Sequence, residues 1–225
     1  CGVLSRRAAE AEIAAGKVTV NGAVAVTGQK IDPERDVVGY RGVRVLPVAA
    51  EKVTVLLHKP RGFVTTMHDE KGRRSVAELV ADVPERVYPV GRLDYNSEGL
   101  LLMTNDGALA NALMHPKKSI DKTYLVWVSG YIAGKEQSLS QPIEIDGRKT
   151  SPAAVQLLHE ADTTALFRIT IHEGRNRQVR KMVEQIGHQV VMLRRIRFGP
   201  LKLGELPRGM WRPLTQEELD ALKKL

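Results

Sequence analysis

Three short, nearly continuous apolar runs place the firmest limits on what this chain can fold into. They occupy residues 53–57, 100–102 and 124–128. Runs of this length, apolar at successive positions rather than at every second one, are typical of buried strands. They therefore predict a sheet that lies inside the molecule, with residues 124–128 forming a central strand covered on both faces.

Helical patterns alternate with these strands from about residue 52 onward. Residues 176–187 predict an amphipathic helix whose apolar face is built from Val179, Met182, Val183 and Ile186. Capping residues predict three more helices: one begins at Ser75 and ends near Ala81, one begins at Asp106, and one begins at Thr215 with Glu218 three residues later. Residues 167–171 alternate as a half-buried strand does. The fold class is therefore α+β, with a domain of catalytic size over residues 52–225.

A smaller module precedes this domain. Ser5 is suited to cap a helix over residues 5–15, which Gly16 ends. Asn21-Gly22 stands between two alternating segments and predicts a hairpin, and residues 43–46 predict a further strand. Residues 47–52 have the composition of a linker, so the module is assigned to residues 1–47. Because the first residue is Cys1 and not Met, we expect the natural chain to start earlier.

Charge narrows the range of partners. The chain carries 34 Lys+Arg against 26 Asp+Glu, a formal net charge of +8, which favours a polyanion such as nucleic acid. A well-solvated basic surface is the alternative. Apolar runs stay far below the roughly 20 residues that a membrane-spanning helix needs. The single cysteine excludes an intramolecular disulfide and fits a reducing cytosol.

Asp94 is the leading candidate for chemistry. It lies in a Gly-bounded loop between a short strand at residues 87–90 and the apolar strand that follows, and a loop carboxylate on a rigid scaffold is a common active-site arrangement. The alternative is an Asx-turn, in which the carboxylate binds its own backbone. Tyr124, at the start of the central strand, is suited to stack on a base, although a core position is the alternative.

Four cations crowd the junction before the helix at residues 176–187: Arg175, Arg177, Arg180 and Lys181. Cations at a helix N-terminus oppose the helix dipole, so the cluster favours an anionic partner, either phosphate or a buried carboxylate. Arg180 lies at the edge of the apolar stripe and is expected to be half-buried. A solvated basic face is the alternative. The histidines and the cysteine show no metal-binding spacing, and no nucleotide-binding motif is present.

Several ordered motifs together resemble those of bacterial ribosomal pseudouridine synthases that carry an N-terminal S4-like RNA-binding domain. The GRLD motif ending at Asp94, followed by GLLLMTNDG, carries the resemblance, and Asn96-Ser97 departs from the commoner acidic-Thr version. Other matching segments extend it over essentially the whole chain: SRRAAEAEIAAGKVTVNG, Lys59-Pro60-Arg61-Gly62, EGRNRQVRKM and MLRRIRFGPLKLGELPRG. The resemblance implies a mainly antiparallel mixed sheet in the catalytic domain and an S4-like module that lacks its usual first helix.

The resemblance also implies roles for single residues. Asp94 matches the catalytic aspartate, Tyr124 the aromatic that packs on uracil, and Arg180 the basic partner of the carboxylate. Arg92 matches the arginine that helps displace the target base, and Leu193 an apolar residue of the uridine pocket. The remaining residues expected to contact RNA are basic: Arg6, Arg7, Lys17, Arg175, Arg177, Lys181, Arg194 and Arg195.

The implied activity is isomerisation of a uridine in ribosomal RNA, either 23S, which is favoured, or 16S, free or in a subunit precursor. The reaction gains and loses no atoms, so neither a cofactor nor a metal is expected. Asp94 is expected either to attack C1′ or to take the 2′ proton. A cytoplasmic monomer without membrane contact is expected. A non-catalytic RNA-binding or ribosome-assembly protein on the same fold, or a basic structural protein, is the alternative.

Overall fold

The structure, a computed structural model, describes residues 3–46, 51–115 and 118–225. The chain divides into two compact units, Cys1–Glu51 and Lys52–Leu225. Most of the linker assigned to residues 47–52 lies outside the described residues. Within the described ranges, no helix combines the length and apolar character that crossing a membrane requires.

The first unit joins one helix to a small antiparallel sheet with the strand order β2-β1-β3-β4. Its elements are α1 (Arg6–Ala14), β1 (Val18–Val20), β2 (Ala23–Val24), β3 (Val38–Tyr40) and β4 (Val43–Val45). The predicted cap is confirmed, because the Ser5 side chain accepts a hydrogen bond from the Ala8 amide. The hairpin is also confirmed: Asn21 and Gly22 both have positive φ, at 51° and 83°. Strand β3 was not predicted.

The second unit is built on a nine-stranded mixed sheet. Its strands, together with the separate β9–β10 hairpin, are β5 (Thr54–Lys59), β6 (Tyr88–Val90), β7 (Glu98–Thr104), β8 (Lys122–Ser129), β9 (Glu144–Ile145), β10 (Arg148–Lys149), β11 (Ala154–Ala161), β12 (Thr164–Ile171), β13 (Gln189–Phe198), β14 (Leu201–Lys202) and β15 (Trp211–Pro213). The main path runs β11-β12-β8-β13-β7-β5-β15, and all its neighbours are antiparallel except β13 and β7.

Four helices and a 3₁₀ turn accompany this sheet: α2 (Val76–Leu79), α3 (Gly107–Met114), the 3₁₀ helix Lys135–Ser140, α4 (Gln178–Gln185) and α5 (Gln216–Lys223). The predicted caps at Asp106 and Thr215 are confirmed by hydrogen bonds from backbone amides to their side chains. Two helices are shorter than predicted. Helix α2 ends before Ala81, and α4 begins only at Gln178, because Arg177 adopts a left-handed conformation with φ at 53°.

Two apolar clusters on opposite faces of the sheet explain the continuous apolar runs. Val55 and Leu101 pack into one cluster, whereas their neighbours Leu56 and Leu100 pack into the other. Strands β5 and β7 are therefore buried on both faces. The prediction for β8 is only partly correct: it is central, but Leu125 and Trp127 are half-exposed on one face.

A buried aromatic group closes the end of the first cluster. The His188 ring stacks on Tyr131 with centroids 5.4 Å apart, and its Nε2 accepts a hydrogen bond of 2.9 Å from the Ile132 amide. Nδ1 therefore carries the proton, and this buried atom has no hydrogen-bond partner in the described part of the chain. Burial lowers the pKa of His188 from 6.5, so the folded protein holds this ring neutral.

Because the His188 ring is neutral in the folded protein, the free energy of unfolding depends on pH. As pH falls below about 6.5, the unfolded chain binds a proton at His188 that the folded chain does not, so stability decreases. A difference of one in pKa corresponds to about 1.4 kcal/mol, and each kcal/mol changes the Tm of a domain of this size by about 2–4 °C. His188→Gln keeps an acceptor for Ile132 and should reduce the fall in Tm between pH 7 and pH 5. The exposed His159→Gln is the control, and an equal fall in Tm in all three proteins would refute the prediction.

Candidate active site

The loop that carries Asp94 is fixed by its backbone. The Ser97 amide donates to the Asp94 carbonyl at 3.0 Å, which closes a four-residue turn. On the outer side, the Gly62 amide donates to the Tyr95 carbonyl at 2.9 Å. The Thr65 hydroxyl donates to the Leu93 carbonyl at 2.6 Å. The position of the Asp94 side chain is therefore set by the segment that follows β5.

Lys59 holds the same loop from inside. Its ammonium group is fully buried and donates to the carbonyls of Pro60, Asp94 and Ser97 at 3.1, 3.0 and 2.9 Å. Burial lowers its pKa from 10.5 to about 8, and the nearby negative charge of Asp94 acts in the opposite direction. The sequence motif at residues 59–62 marked this position, but no role was predicted for it.

The carboxylate of Asp94 is not used by the turn. The hydrogen bonds formed by the described residues include none that this carboxylate accepts, so the Asx-turn interpretation is wrong. Asp94 instead lines a cleft of about 660 Å³ together with Tyr124 of β8 and Leu193 of β13. Both residues are largely buried, at 8% and 5% exposure. The cleft thus combines a free carboxylate with an aromatic ring and an aliphatic wall.

A close approach between strands places β13 beside the loop. Gly99 has φ at 114°, and a Cβ added there would lie 2.2 Å from the Arg195 carbonyl oxygen. Only glycine allows β7 to pair with β13 at this point. The parallel register between Gly99 and Arg195 then brings Leu193 and Arg195 to the cleft.

Arg180 contacts the loop and not the carboxylate. The Arg180 side chain donates to the Asn96 carbonyl at 2.9 Å and lies 3.4 Å from the Ser97 hydroxyl. Among the described residues, the ion pairs within 4 Å include none between Arg180 and Asp94. The attraction of Asp94 nevertheless opposes the fall in the pKa of Arg180 that burial causes. The expected ion pair is thus replaced by a charge interaction without contact, and the side chain is more buried than expected, at 6% exposure.

The other predicted cations near α4 differ in how free they are to bind an anionic ligand. Arg175 is bound to Glu173 and to the carbonyls of Arg148 and Lys149, so it fastens the β9–β10 hairpin. Lys181 is paired with Asp146. Arg177 is exposed, lines the cleft and has only a long ion pair, 4.0 Å, with Glu184. Of these three, Arg177 is the cation best placed for an anionic ligand.

Two more predicted cations point to different surroundings. Arg194 pairs with buried Glu98 and lies over the Trp127 ring, and it does not line the cleft. Arg195 is buried and does line it, as does exposed Arg92. Successive side chains of β13 point to opposite faces of the sheet. Arg195 therefore faces the cleft, and Arg194 does not.

In the first unit, Arg6 and Arg7 are exposed on α1. Lys17 forms an ion pair with Glu12 at 2.9 Å, and Arg41 pairs with the same carboxylate. Hydrogen bonds from Lys17, Tyr40 and Arg41 lower the pKa of Glu12 to about 2. The charge of Lys17 is therefore largely compensated, whereas the ion pairs between described residues include neither Arg6 nor Arg7. No group of three or more potential metal ligands occurs among the residues that the structure describes.

Comparison with known proteins shows which family this chain resembles. Residues 53–185 match the model of the RNA pseudouridylate synthase family. The chain is 46% identical to ribosomal large subunit pseudouridine synthase B of Bacillus subtilis, over 100% of this chain and 92% of that protein. It is 38% identical to the protein of the same name from Vibrio cholerae, over 98% and 71%. A crystal structure of a pseudouridylate synthase superposes with a TM-score of 0.71 at 30% identity, covering 97% and 94%.

The contacts of Lys59 generate a structural prediction. Lys59→Met leaves three carbonyls without their donor at about 1–3 kcal/mol each, and removing a buried charge offsets part of this cost. The free energy of unfolding should fall by roughly 2–5 kcal/mol in urea denaturation. Amide hydrogen exchange at residues 94–97 should accelerate under native conditions. Lys71→Met, an exposed lysine, serves as the control. Unchanged exchange in the loop would show that Lys59 does not hold it.

Proposed function

The chain belongs to the RNA pseudouridylate synthase family, and on this premise we propose that it converts a uridine of ribosomal RNA to pseudouridine with Asp94 as its catalytic carboxylate. One observation carries the assignment of the site: the Asp94 carboxylate is held on a fixed backbone yet accepts no hydrogen bond from the described residues. A carboxylate that is positioned but unused by the fold is available for substrate. The two large-subunit synthases similar to this chain support 23S RNA as the substrate.

The cleft accounts for the other roles that we propose. The target base must leave its stack to be reached, and Tyr124 then packs on the uracil ring while Leu193 covers it. Arg92, exposed beside the loop, occupies the position of the displaced base. Arg177 binds a phosphate. Arg180 and Lys59 act through the backbone of the loop and by their charges.

The reaction breaks the C1′–N1 bond and joins C5 of the same uracil to C1′. Asp94 either attacks C1′ or accepts the 2′ proton, and each step requires its ionised form. The positive charges of Lys59 and Arg180 attract the negative charge of Asp94 through space. All atoms are retained in the product, so no cofactor enters the scheme.

We assign the first unit to binding. A helix followed by a hairpin, with Arg6 and Arg7 exposed, supports an S4-like RNA-binding module over residues 1–47 ahead of the synthase domain at 52–225. The module contributes affinity through phosphate contacts. We further propose that the protein acts as a cytoplasmic monomer, on free RNA or on a subunit precursor. The alternative, an RNA-binding protein without activity, has no use for a free carboxylate in the cleft.

The test of this function is direct. Ribosomal RNAs transcribed in vitro, and therefore free of modification, are incubated with the protein and then treated with carbodiimide before primer extension. Mild alkali then removes the reagent from uridine but not from pseudouridine, so we expect a new stop at one position in 23S RNA. Turnover should exceed one per protein molecule. Absence of any stop in 23S and 16S RNA, free or in partly assembled subunits, would contradict the proposal.

A further inference from the structure

Two cations that the scheme above does not use lie together in the cleft. Arg195 is 3% exposed, and Lys122 is half-buried. The Arg195 guanidinium carbon and the Lys122 ammonium nitrogen each lie 5.6 Å from the centre of the Phe198 ring. All three residues line the same cleft as Asp94. A ring flanked by two positive charges therefore forms part of the wall that faces the substrate.

These cations are only partly satisfied by the protein. Arg195 donates through Nε to the Leu100 carbonyl at 2.8 Å, but its Nη2 is buried and has no hydrogen-bond partner among the residues that the structure describes. Lys122 donates to the Ile120 carbonyl at 3.0 Å. Within the described ranges, the ion pairs shorter than 4 Å include neither residue. Burial first, and then the charge of Arg195, lower the pKa of Lys122. Two neighbouring cations that lack a carboxylate contact are costly, which points to an anionic ligand.

The strand register places this pair against the residues proposed to hold the base. Arg195 lies directly opposite Tyr124 across β13 and β8, and Phe198 lies opposite Lys122. Leu193 is two residues from Arg195 on the same strand. The free Nη2 donor thus belongs to the part of the cleft that receives the uracil, and not to a separate surface.

Burial distinguishes between two possible anions. Phosphates of a continuous RNA chain remain partly in water, and the exposed arginines Arg92 and Arg177 line the cleft in a manner suited to them. The Arg195 donor is too buried for a phosphate of the RNA backbone to reach. A base that has flipped out of the RNA can enter the cleft and reach it. We infer that Arg195 and Lys122 bind the oxygens of the uracil ring and stabilise the negative charge that the ring carries after the C1′–N1 bond breaks. This inference rests on the proposed function.

The charge follows from the bond changes. When the C1′–N1 bond breaks, its electron pair stays with uracil and spreads over N1, O2 and O4. The ring is then an anion in a closed cleft. C5 next bonds to C1′ while the ester bond between Asp94 and C1′ breaks or, on the other route, while the C1′–C2′ double bond takes the 2′ proton back at C2′. C5 then loses its proton to a base or to water, and N1 takes one up, which gives neutral pseudouridine. Both possible roles of Asp94 pass through this anion, so the stabilisation does not depend on the choice between them. Fixed donors aimed at developing charge are a large source of rate enhancement.

The experiment separates chemistry from binding. Single-turnover rates and dissociation constants are measured with the RNA in which the wild type forms pseudouridine, for Lys122→Met, Arg195→Met and Arg195→Lys. The exposed Arg197→Met, on the same strand but outside the cleft, is the matched control. We expect the Met variants to lose about 10²–10³-fold in rate while affinity changes by less than about 3-fold. Arg195→Lys, which retains the charge, should recover part of the rate, and Arg197→Met should match the wild type.

A second substrate tests for the anion itself. RNA with 5-fluorouridine at the target position releases a more stable anion, because fluorine withdraws electrons, and cleavage is followed as loss of the N1-linked nucleoside after nuclease digestion. The rate loss of the Met variants should be smaller with this RNA than with uridine. Equal losses with both RNAs, or a loss of affinity at an unchanged rate as a phosphate contact would give, would overturn the inference. If the wild type itself forms no pseudouridine in any ribosomal RNA, the proposed function fails as well.

Discussion

The buried ammonium group of Lys59 joins strand β5 to the loop that carries Asp94. It lies in the protein interior and its hydrogen bonds go to three main-chain carbonyls. Burying a charge in this way is unfavourable unless every proton finds an acceptor. The loop can therefore adopt only a conformation that presents the carbonyls of Asp94 and Ser97 to Lys59, while Pro60 supplies the third acceptor. The same constraint leaves the side chain of Asp94 free, because the backbone alone satisfies Lys59.

Burial on both faces of β5 and β7 makes this constraint effective. A strand packed between two apolar clusters keeps its register, because a shift by one residue would move each side chain to the opposite face of the sheet. Gly99 then allows β13 to approach β7 closely enough to place Leu193 and Arg195 beside the loop. The cleft is thus a product of sheet register, and its chemistry follows from which residues of β8 and β13 face inward.

The sequence predicted much of this arrangement, and the failures have physical causes. Continuous apolar runs identified the buried strands, and capping residues located the helix starts. Asp94 stood out because a polar loop interrupts apolar strands. The carboxylate's lack of a backbone partner, the contact of Arg180 with a carbonyl, and the separation of Arg194 from Arg195 all depend on side-chain directions that spacing does not determine. Lys59 was part of a matching motif but received no role, because a lysine at a strand end is usually solvated and only the tertiary structure buries it.

Whether Asp94 performs chemistry on the substrate can be decided with one substitution. Asp94→Asn preserves shape and the backbone contacts of the loop but removes the charge, the nucleophile and the base. The measurement is the rate of pseudouridine formation by carbodiimide labelling and primer extension, with Tm and RNA affinity determined on the same preparation. If Asp94 performs the chemistry, the variant folds and binds RNA as the wild type does but forms no detectable pseudouridine. Modification at the wild-type rate by Asp94→Asn would contradict this role.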